Sequence, residues 1–88
     1  MSYHLEFTEK ANEDIDFHKR SGNRALLIKL LNLFEELTEH PFIGTGKPEQ
    51  LKHNLTGCWS RRINREHRLV YEVVDNVITI LSAKGHYQ

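Results

Sequence analysis

Residues 58–83 decide the fold, and they read CWSRRINREHRLVYEVVDNVITILSA. Three segments rich in β-branched and aromatic residues, at 58–63, 67–74 and 77–83, are separated by short polar stretches. Asn64-Arg65-Glu66 and Asp75-Asn76 are typical of turns between strands. Because connections this short join antiparallel neighbours, the stretch predicts three strands that pair in antiparallel fashion.

The first half of the chain predicts one strand and two helices. Residues 2–7 alternate between apolar and polar side chains, as a strand does. Thr8 is a suitable N-cap for a helix over about residues 9–19, and the break Ser21-Gly22-Asn23 follows it. A second helix begins after this break and ends before Pro41. Its apolar stripe consists of Leu26, Leu27, Leu30, Leu31, Phe34 and Leu37.

Together these elements predict an α+β fold in a single domain, residues 1–88. We expect two N-terminal helices to pack on one face of an antiparallel sheet of four to five strands. The other face of the sheet is expected to stay open, as antiparallel sheets permit.

The composition excludes several classes of protein. Hydrophobic residues make up 39% of the chain and charged residues 27%, and no apolar run reaches the roughly 20 residues of a membrane helix. The first seven residues lack the layout of a signal peptide. Cys58 is the only cysteine, whereas small secreted domains usually carry several. We therefore expect a cytoplasmic protein without membrane contact.

Charge is unevenly distributed along the chain. The formal net charge is zero, but residues 1–44 carry −3 and residues 45–88 carry +3. A basic half beside an acidic half favours a face that binds a polyanion, although an imbalance of this size also arises by chance.

Arginines cluster around the first predicted turn. Alternation places Arg61 and Arg62 on opposite faces of one strand, so one of them is expected beside Arg68 of the next strand. Guanidinium groups repel one another but bind phosphate oxygens in a bidentate manner, so a cluster favours a phosphate ligand. The alternative is separate surface arginines with carboxylate partners. Basic residues interleaved with rings suit single-stranded RNA, although Trp59 is better explained as a core residue.

No metal or nucleotide motif accompanies these basic residues. Gly46-Lys47 is followed by Pro48, where a phosphate-binding loop of the P-loop type needs Ser or Thr. The histidines at 53, 67 and 86 lack the spacing of a zinc site. We therefore expect neither a metal ion nor a cofactor.

Glu49, Arg68 and His86 have the chemistry to cleave RNA. RNA carries its own nucleophile, the 2′-hydroxyl. Cleavage therefore needs a base for that proton, positive charge on the phosphorane and an acid for the leaving 5′-oxygen. Glutamate, arginine and histidine supply these roles near neutral pH. Taken singly, Glu49 also fits an ordinary loop carboxylate, and His86 fits a frayed chain end.

The stretch GTGKPEQLKHNLTGCWSRRI at 44–63, with HRLVY at 67–71 and HY at 86–87, resembles the YoeB/Txe toxins of the RelE/ParE superfamily. The resemblance implies a RelE-like microbial ribonuclease fold and the toxin of a bacterial type II toxin–antitoxin pair. Such toxins enter the ribosomal A site and cut mRNA, a cognate antitoxin silences them, and they can form homodimers.

The resemblance also implies roles for individual residues. Glu49 matches the general base, Arg68 the phosphate-stabilising arginine and His86 the general acid. Lys52, Arg62 and Tyr87 match residues that contact substrate or ribosomal RNA, and the basic cluster adds Lys47 and Arg61 as substrate-binding candidates.

Three positions depart from the family pattern, and two other functions stay open. Cys58 stands where an aromatic residue is usual, and Gln88 extends past the usual terminal tyrosine. Gly85 replaces a bulkier ring, so the segment that follows is expected to be more mobile. The alternatives are a non-catalytic module that blocks the ribosome and a gyrase poison of the ParE branch. Inhibition without mRNA cuts would support the first, and a supercoiling assay tests the second.

Overall fold

The computed structural model describes residues 2–52 and 57–85. Within these residues the predicted helices and four predicted strands are confirmed to within a few positions. A two-residue strand that the sequence did not predict lies between the second helix and the arginine-rich strand. In chain order the elements are β1 (His4–Phe7), α1 (Glu9–Ser21), α2 (Arg24–Leu37), β2 (Glu49–Gln50), β3 (Cys58–Arg62), β4 (Arg68–Val74) and β5 (Val77–Ser82).

Both helices begin at side-chain caps, and the predicted cap Thr8 is confirmed. The Thr8 side chain accepts a hydrogen bond of 3.0 Å from the Ala11 N–H, and the Asn23 side chain accepts one of 3.0 Å from the Leu26 N–H. The Thr8 hydroxyl also donates to the Leu81 carbonyl, which ties the start of α1 to β5. These bonds satisfy donors that the first helical turn leaves without partners, so the caps fix where the helices start.

The sheet is mixed, with strand order β1-β5-β4-β3-β2. The pairs β2–β3, β3–β4 and β4–β5 are antiparallel, as predicted. β1 runs parallel to β5, with His4 opposite Val77, so the expectation of a wholly antiparallel sheet was wrong at this edge. No short turn joins these two strands, and the long connection through the rest of the fold permits parallel neighbours.

The main core lies between the helices and one face of the sheet, as predicted. Trp59 is half-buried against it, which confirms the interpretation of Trp59 as a core residue, and its ring centroid lies 5.0 Å from that of Phe42. The other face is partly covered by a small cluster of Leu51, Cys58 and Val70, so it is less open than expected. The main core consists of Ala11, Leu26, Leu30, Leu33, Phe34, Leu37, Ile63, Leu69, Tyr71, Ile78, Ile80 and Ala83.

Candidate active site

An open cavity of about 400 Å³ lies where the loop after α2 meets β3 and β4. Its lining contains three cationic side chains and one carboxylate, so the site carries net positive charge. A concave basic surface of this kind suits a phosphate group. The lining residues are Lys47, Pro48, Glu49, Arg62 and Arg68.

Strand register brings the charged residues together. Arg62 pairs directly with Arg68 across β3 and β4, and Glu49 pairs with Ser60 across β2 and β3. Side chains that are paired or two positions apart share one face of a sheet. Glu49 and the two arginines therefore project from the face opposite the helices. The prediction that one arginine of β3 lies beside Arg68 is confirmed, and that arginine is Arg62.

Glu49 and Arg68 form a loose ion pair in the cavity. Arg68 Nη1 lies 3.8 Å from Glu49 Oε1, beyond hydrogen-bond distance. The Glu49 side chain is 64% exposed and that of Arg68 is 21% exposed. A ligand can therefore reach the carboxylate from solvent, while the guanidinium is the more buried partner.

The loop that carries Lys47 and Glu49 is fixed at Gly46. The Gly46 carbonyl accepts a hydrogen bond of 2.7 Å from the Arg62 N–H. Gly46 has φ +85°, and a Cβ there would lie 2.8 Å from the Arg62 carbonyl oxygen. Only glycine permits this approach without displacing the strand. Lys47 itself has φ +54°, an uncommon conformation for a residue with a side chain.

Arg61 is a core residue, so the structure contradicts its predicted role in substrate binding. Its side chain is fully buried, and all five N–H donors of the guanidinium have oxygen partners. No donor is left for a ligand. The partners are the Glu36 carboxylate, the Tyr71 hydroxyl and the carbonyls of His40, Thr45 and Ile43.

The partners of Arg61 have shifted pKa values. Burial tends to raise the pKa of Glu36, but hydrogen bonds from Thr45 and the Arg61 guanidinium outweigh it, and the net pKa lies below its ordinary value. Burial raises the pKa of Tyr71, and Arg61 offsets part of this effect. The Tyr71 hydroxyl donates to the Pro41 carbonyl at 2.6 Å. This network joins α2, the loop and two strands beneath the cavity.

The remaining predicted site residues lie apart from the cavity lining or outside the described residues. Lys52 is exposed at the edge of the described segment. The candidate acid His86, as well as Tyr87 and Gln88, lies outside the described residues. The residue before them, Gly85, donates its N–H to His67 Nδ1 at 2.9 Å, and its carbonyl accepts from the Arg68 N–H at 2.9 Å.

Within the described residues, the Cys58 thiol and the other carboxylates do not form a second candidate active site. Cys58 is buried, and burial together with the Glu72 charge raises the pKa of its thiol. Across residues 2–52 and 57–85, no group of three or more His, Cys, Asp or Glu side chains is arranged to hold a metal ion.

No helix of this part of the chain is long and apolar enough to cross a membrane.

Comparison with known proteins gives consistent matches over nearly the whole chain. A family model for the YoeB-like toxin of bacterial type II toxin–antitoxin systems matches residues 7–87. Toxin YoeB of Synechocystis is 45% identical over 85 residues, which cover 96% of each chain. A YoeB dimer structure from Staphylococcus aureus matches with TM-score 0.86 at 42% identity, covering 99% of this chain and 100% of that one. A YoeB–YefM complex from the same species matches with TM-score 0.84, 43% identity and the same coverage.

Proposed function

The chain belongs to the YoeB-like toxins of bacterial type II toxin–antitoxin systems, and we propose that it is an endoribonuclease that cleaves mRNA on the ribosome. The observation that carries the proposal is the cavity in which Glu49, Arg62, Arg68 and Lys47 meet. One accessible carboxylate beside several cations supplies two of the three groups that cleavage by the 2′-hydroxyl requires, the base and the positive charge.

In the proposed reaction Glu49 accepts the proton of the 2′-hydroxyl as that oxygen attacks the adjacent phosphorus. Arg68 and Arg62 hold the phosphate oxygens, where negative charge accumulates in the phosphorane. Because Glu49 lies 3.8 Å from Arg68, an incoming phosphate competes for the guanidinium without breaking a close hydrogen bond. The carboxylate then stays beside the attacking hydroxyl, in position to act as the base.

His86 is the proposed acid that protonates the departing 5′-oxygen. Its support comes from the residue before it, because Gly85 is hydrogen-bonded to the backbone N–H of Arg68. The described segment therefore ends beside the start of β4, at the residue before the candidate acid. The products are then a 2′,3′-cyclic phosphate and a 5′-hydroxyl, and every proton is moved by a side chain. Tyr87 and Lys52 are proposed to contact the RNA.

The proposed partners are the ribosome with its mRNA, a cognate antitoxin and a second copy of the chain. The two Staphylococcus aureus relatives occur as a YoeB dimer and as a YoeB–YefM complex. By analogy, this chain is proposed to bind an antitoxin and to dimerise. Since its substrate would be a translated message, its proposed location is the bacterial cytoplasm.

Mapping mRNA 5′ ends on purified translating ribosomes tests the proposal. The parent protein should cut in the presence of EDTA and leave 5′-hydroxyl ends. Glu49→Gln should reduce the rate by about 10²–10⁴-fold, the usual contribution of a general base. Glu35→Gln is the matched control, because this exposed carboxylate on α2 lies outside the cavity lining and its loss should leave the rate unchanged. Translation arrest without new 5′ ends would instead support a non-catalytic ribosome-binding protein.

A further inference from the structure

Helix α1 buries two ionisable side chains that lie away from the cavity. Asp14 is 4% exposed and His18 is 1% exposed. They are four residues apart, so they lie on one face of the helix, one turn from each other. Buried groups of this kind are unfavourable unless they are hydrogen-bonded, and their partners therefore show what they do.

Both side chains bind the backbone of one residue. The Asp14 carboxylate accepts a hydrogen bond of 2.9 Å from the Ala83 N–H, and Lys10 binds the same carboxylate at 2.8 Å. His18 Nε2 lies 2.7 Å from the Ala83 carbonyl oxygen. Because a carbonyl oxygen only accepts, Nε2 carries the hydrogen. Helix α1 therefore binds both polar groups of Ala83, directly after β5 ends.

The contacts continue from His18 toward the candidate active site. The His18 ring packs edge to face on His67, with ring centroids 4.7 Å apart. His67 Nδ1 accepts the hydrogen bond from the Gly85 N–H, and the Gly85 carbonyl binds the N–H of Arg68. These contacts fix Gly85 itself, whereas the greater mobility expected of the segment that follows it concerns residues outside the described ones. The segment 83–85 is held from one side by α1 and from the other by the start of β4.

We propose that Asp14 and His18 are positioning residues for RNA cleavage, which fix residues 83–85, the segment that leads to the candidate acid His86. The inference rests on the proposed function and adds to it a positioning role for helix α1, whose two side chains act on residues 83–85 and not on the RNA. Its physical basis is that proton transfer depends steeply on placement, and a shift of about 1 Å can reduce a rate about 10²-fold.

Substitutions at His18 separate positioning from chemistry. His18→Gln keeps a terminal N–H donor and should stay within about threefold of the parent rate, whereas His18→Leu removes the donor and should lower kcat by about 10²-fold with KM unchanged. If the leucine variant does not fold, His18→Asn serves instead, because its shorter side chain does not reach Ala83. Equal rates for the glutamine variant and the variant without the bond would overturn the proposal.

A double-mutant cycle with His86→Ala provides a second readout. If His18 acts through His86, His18→Leu should lower the rate in the parent and change little in His86→Ala. A merely structural role would lower both rates by the same factor, and that result would contradict the inference.

Amide hydrogen exchange tests the inference without any activity. The leucine variant should exchange faster at Ala83 and Gly85, while the amide of Tyr71 in β4 stays as in the parent. Unchanged exchange at residues 83 and 85 would refute the positioning role, whatever the activity. Absence of cleavage by the parent protein would instead contradict the proposed function, so the two failures are distinguishable.

Discussion

Arg61 and Arg62 are adjacent in the chain and have opposite environments. Arg61 donates all of its N–H groups to buried oxygens, whereas Arg62 is exposed at the cavity. We expect Arg61→Lys to lower the free energy of unfolding by about 2–4 kcal/mol, because an ammonium has only three donors and lacks the planar fork. We expect Arg62→Lys to change it by less than about 0.5 kcal/mol.

Urea unfolding and cleavage rates check this contrast. Arg62→Lys should cleave more slowly while unfolding at the parent midpoint, because lysine does not bind phosphate in a bidentate manner. Equal destabilisation of the two variants would show that the interior network around Arg61 is not the source of stability inferred from the structure.

Glu36 gives the Arg61 network a pH dependence at the level of one residue. Its pKa is lowered in the folded chain, so its stabilisation is complete above the ordinary pKa of about 4.3 and is lost as pH falls through the folded value. Since the Glu36 side chain is 29% exposed, we expect Glu36→Gln to reduce stability at pH 7 by about 1–3 kcal/mol. The difference in the free energy of unfolding between the parent and Glu36→Gln should decrease steadily as the pH falls.

Chemical unfolding at several pH values between neutral and strongly acidic conditions measures this effect. Glu35→Gln is the matched control, because Glu35 is the exposed neighbour on the same helix. A difference between the parent and Glu36→Gln that stays constant at every pH would contradict the assignment.

At the scale of elements, the alternation of side chains along β3 already indicated which arginine faces the core, and the hypothesis of an arginine cluster did not use it. Arg61 alternates with Trp59 on β3 and with Ile63 directly after the strand; Ile63 belongs to the main core and Trp59 packs against it. The same pattern therefore indicated that Arg61 faces the helices. Its partner Glu36 lies 25 positions earlier on α2, and no local pattern predicts that pairing.

The parallel pairing of β1 and the existence of β2 lay beyond prediction for physical reasons. β1 has four residues and pairs in parallel with β5 at the far end of the chain, so no turn specifies its neighbour. β2 consists only of Glu49 and Gln50, which have no apolar alternation. Its strand conformation depends on pairing with β3. The site itself was predictable in part, because the register of β3 and β4 follows from the short turn that joins them.

The loop before β2 is the element that places Glu49, and Gly46 controls it. We expect Gly46→Ala to slow cleavage strongly, because the new Cβ would press on the Arg62 carbonyl as well as oppose a positive φ. Gly57→Ala is the control, since Gly57 has φ +95° with open space around it. The free energy of unfolding of the control variant should fall by only about 1–2 kcal/mol, because of backbone strain.

Comparing the two variants by unfolding and by cleavage isolates the steric part. Gly46→Ala should lose more activity than Gly57→Ala even at temperatures where both are folded. If the two variants lose activity to the same extent, close approach of the loop to β3 does not position Glu49.

At the scale of the whole molecule, the net charge is zero, but the charges are separated along the chain. Residues 1–44 carry −3 and residues 45–88 carry +3. The ion pair of Arg61 with Glu36 joins one charge from each half, so these two charges compensate each other. Three of the cations of the second half, Lys47, Arg62 and Arg68, line the cavity together with one carboxylate. A partner with an acidic segment is therefore complementary to the proposed RNA site.

We expect an acidic segment of the antitoxin to cover this cavity, so that affinity falls as salt rises. Exposed charges attract over about 10 Å at 0.1 M salt and over about 3 Å at 1 M, and complementary charge acts mainly on the association rate. Arg62→Gln should lower that rate and flatten its salt dependence. Arg20→Gln, at an exposed position on α1 in the acidic half, should do neither.

Titrating the cognate antitoxin against the toxin at increasing salt measures the affinity and the association rate. An affinity that does not change with salt would mean that apolar contacts, rather than the arginines of the cavity, hold the antitoxin.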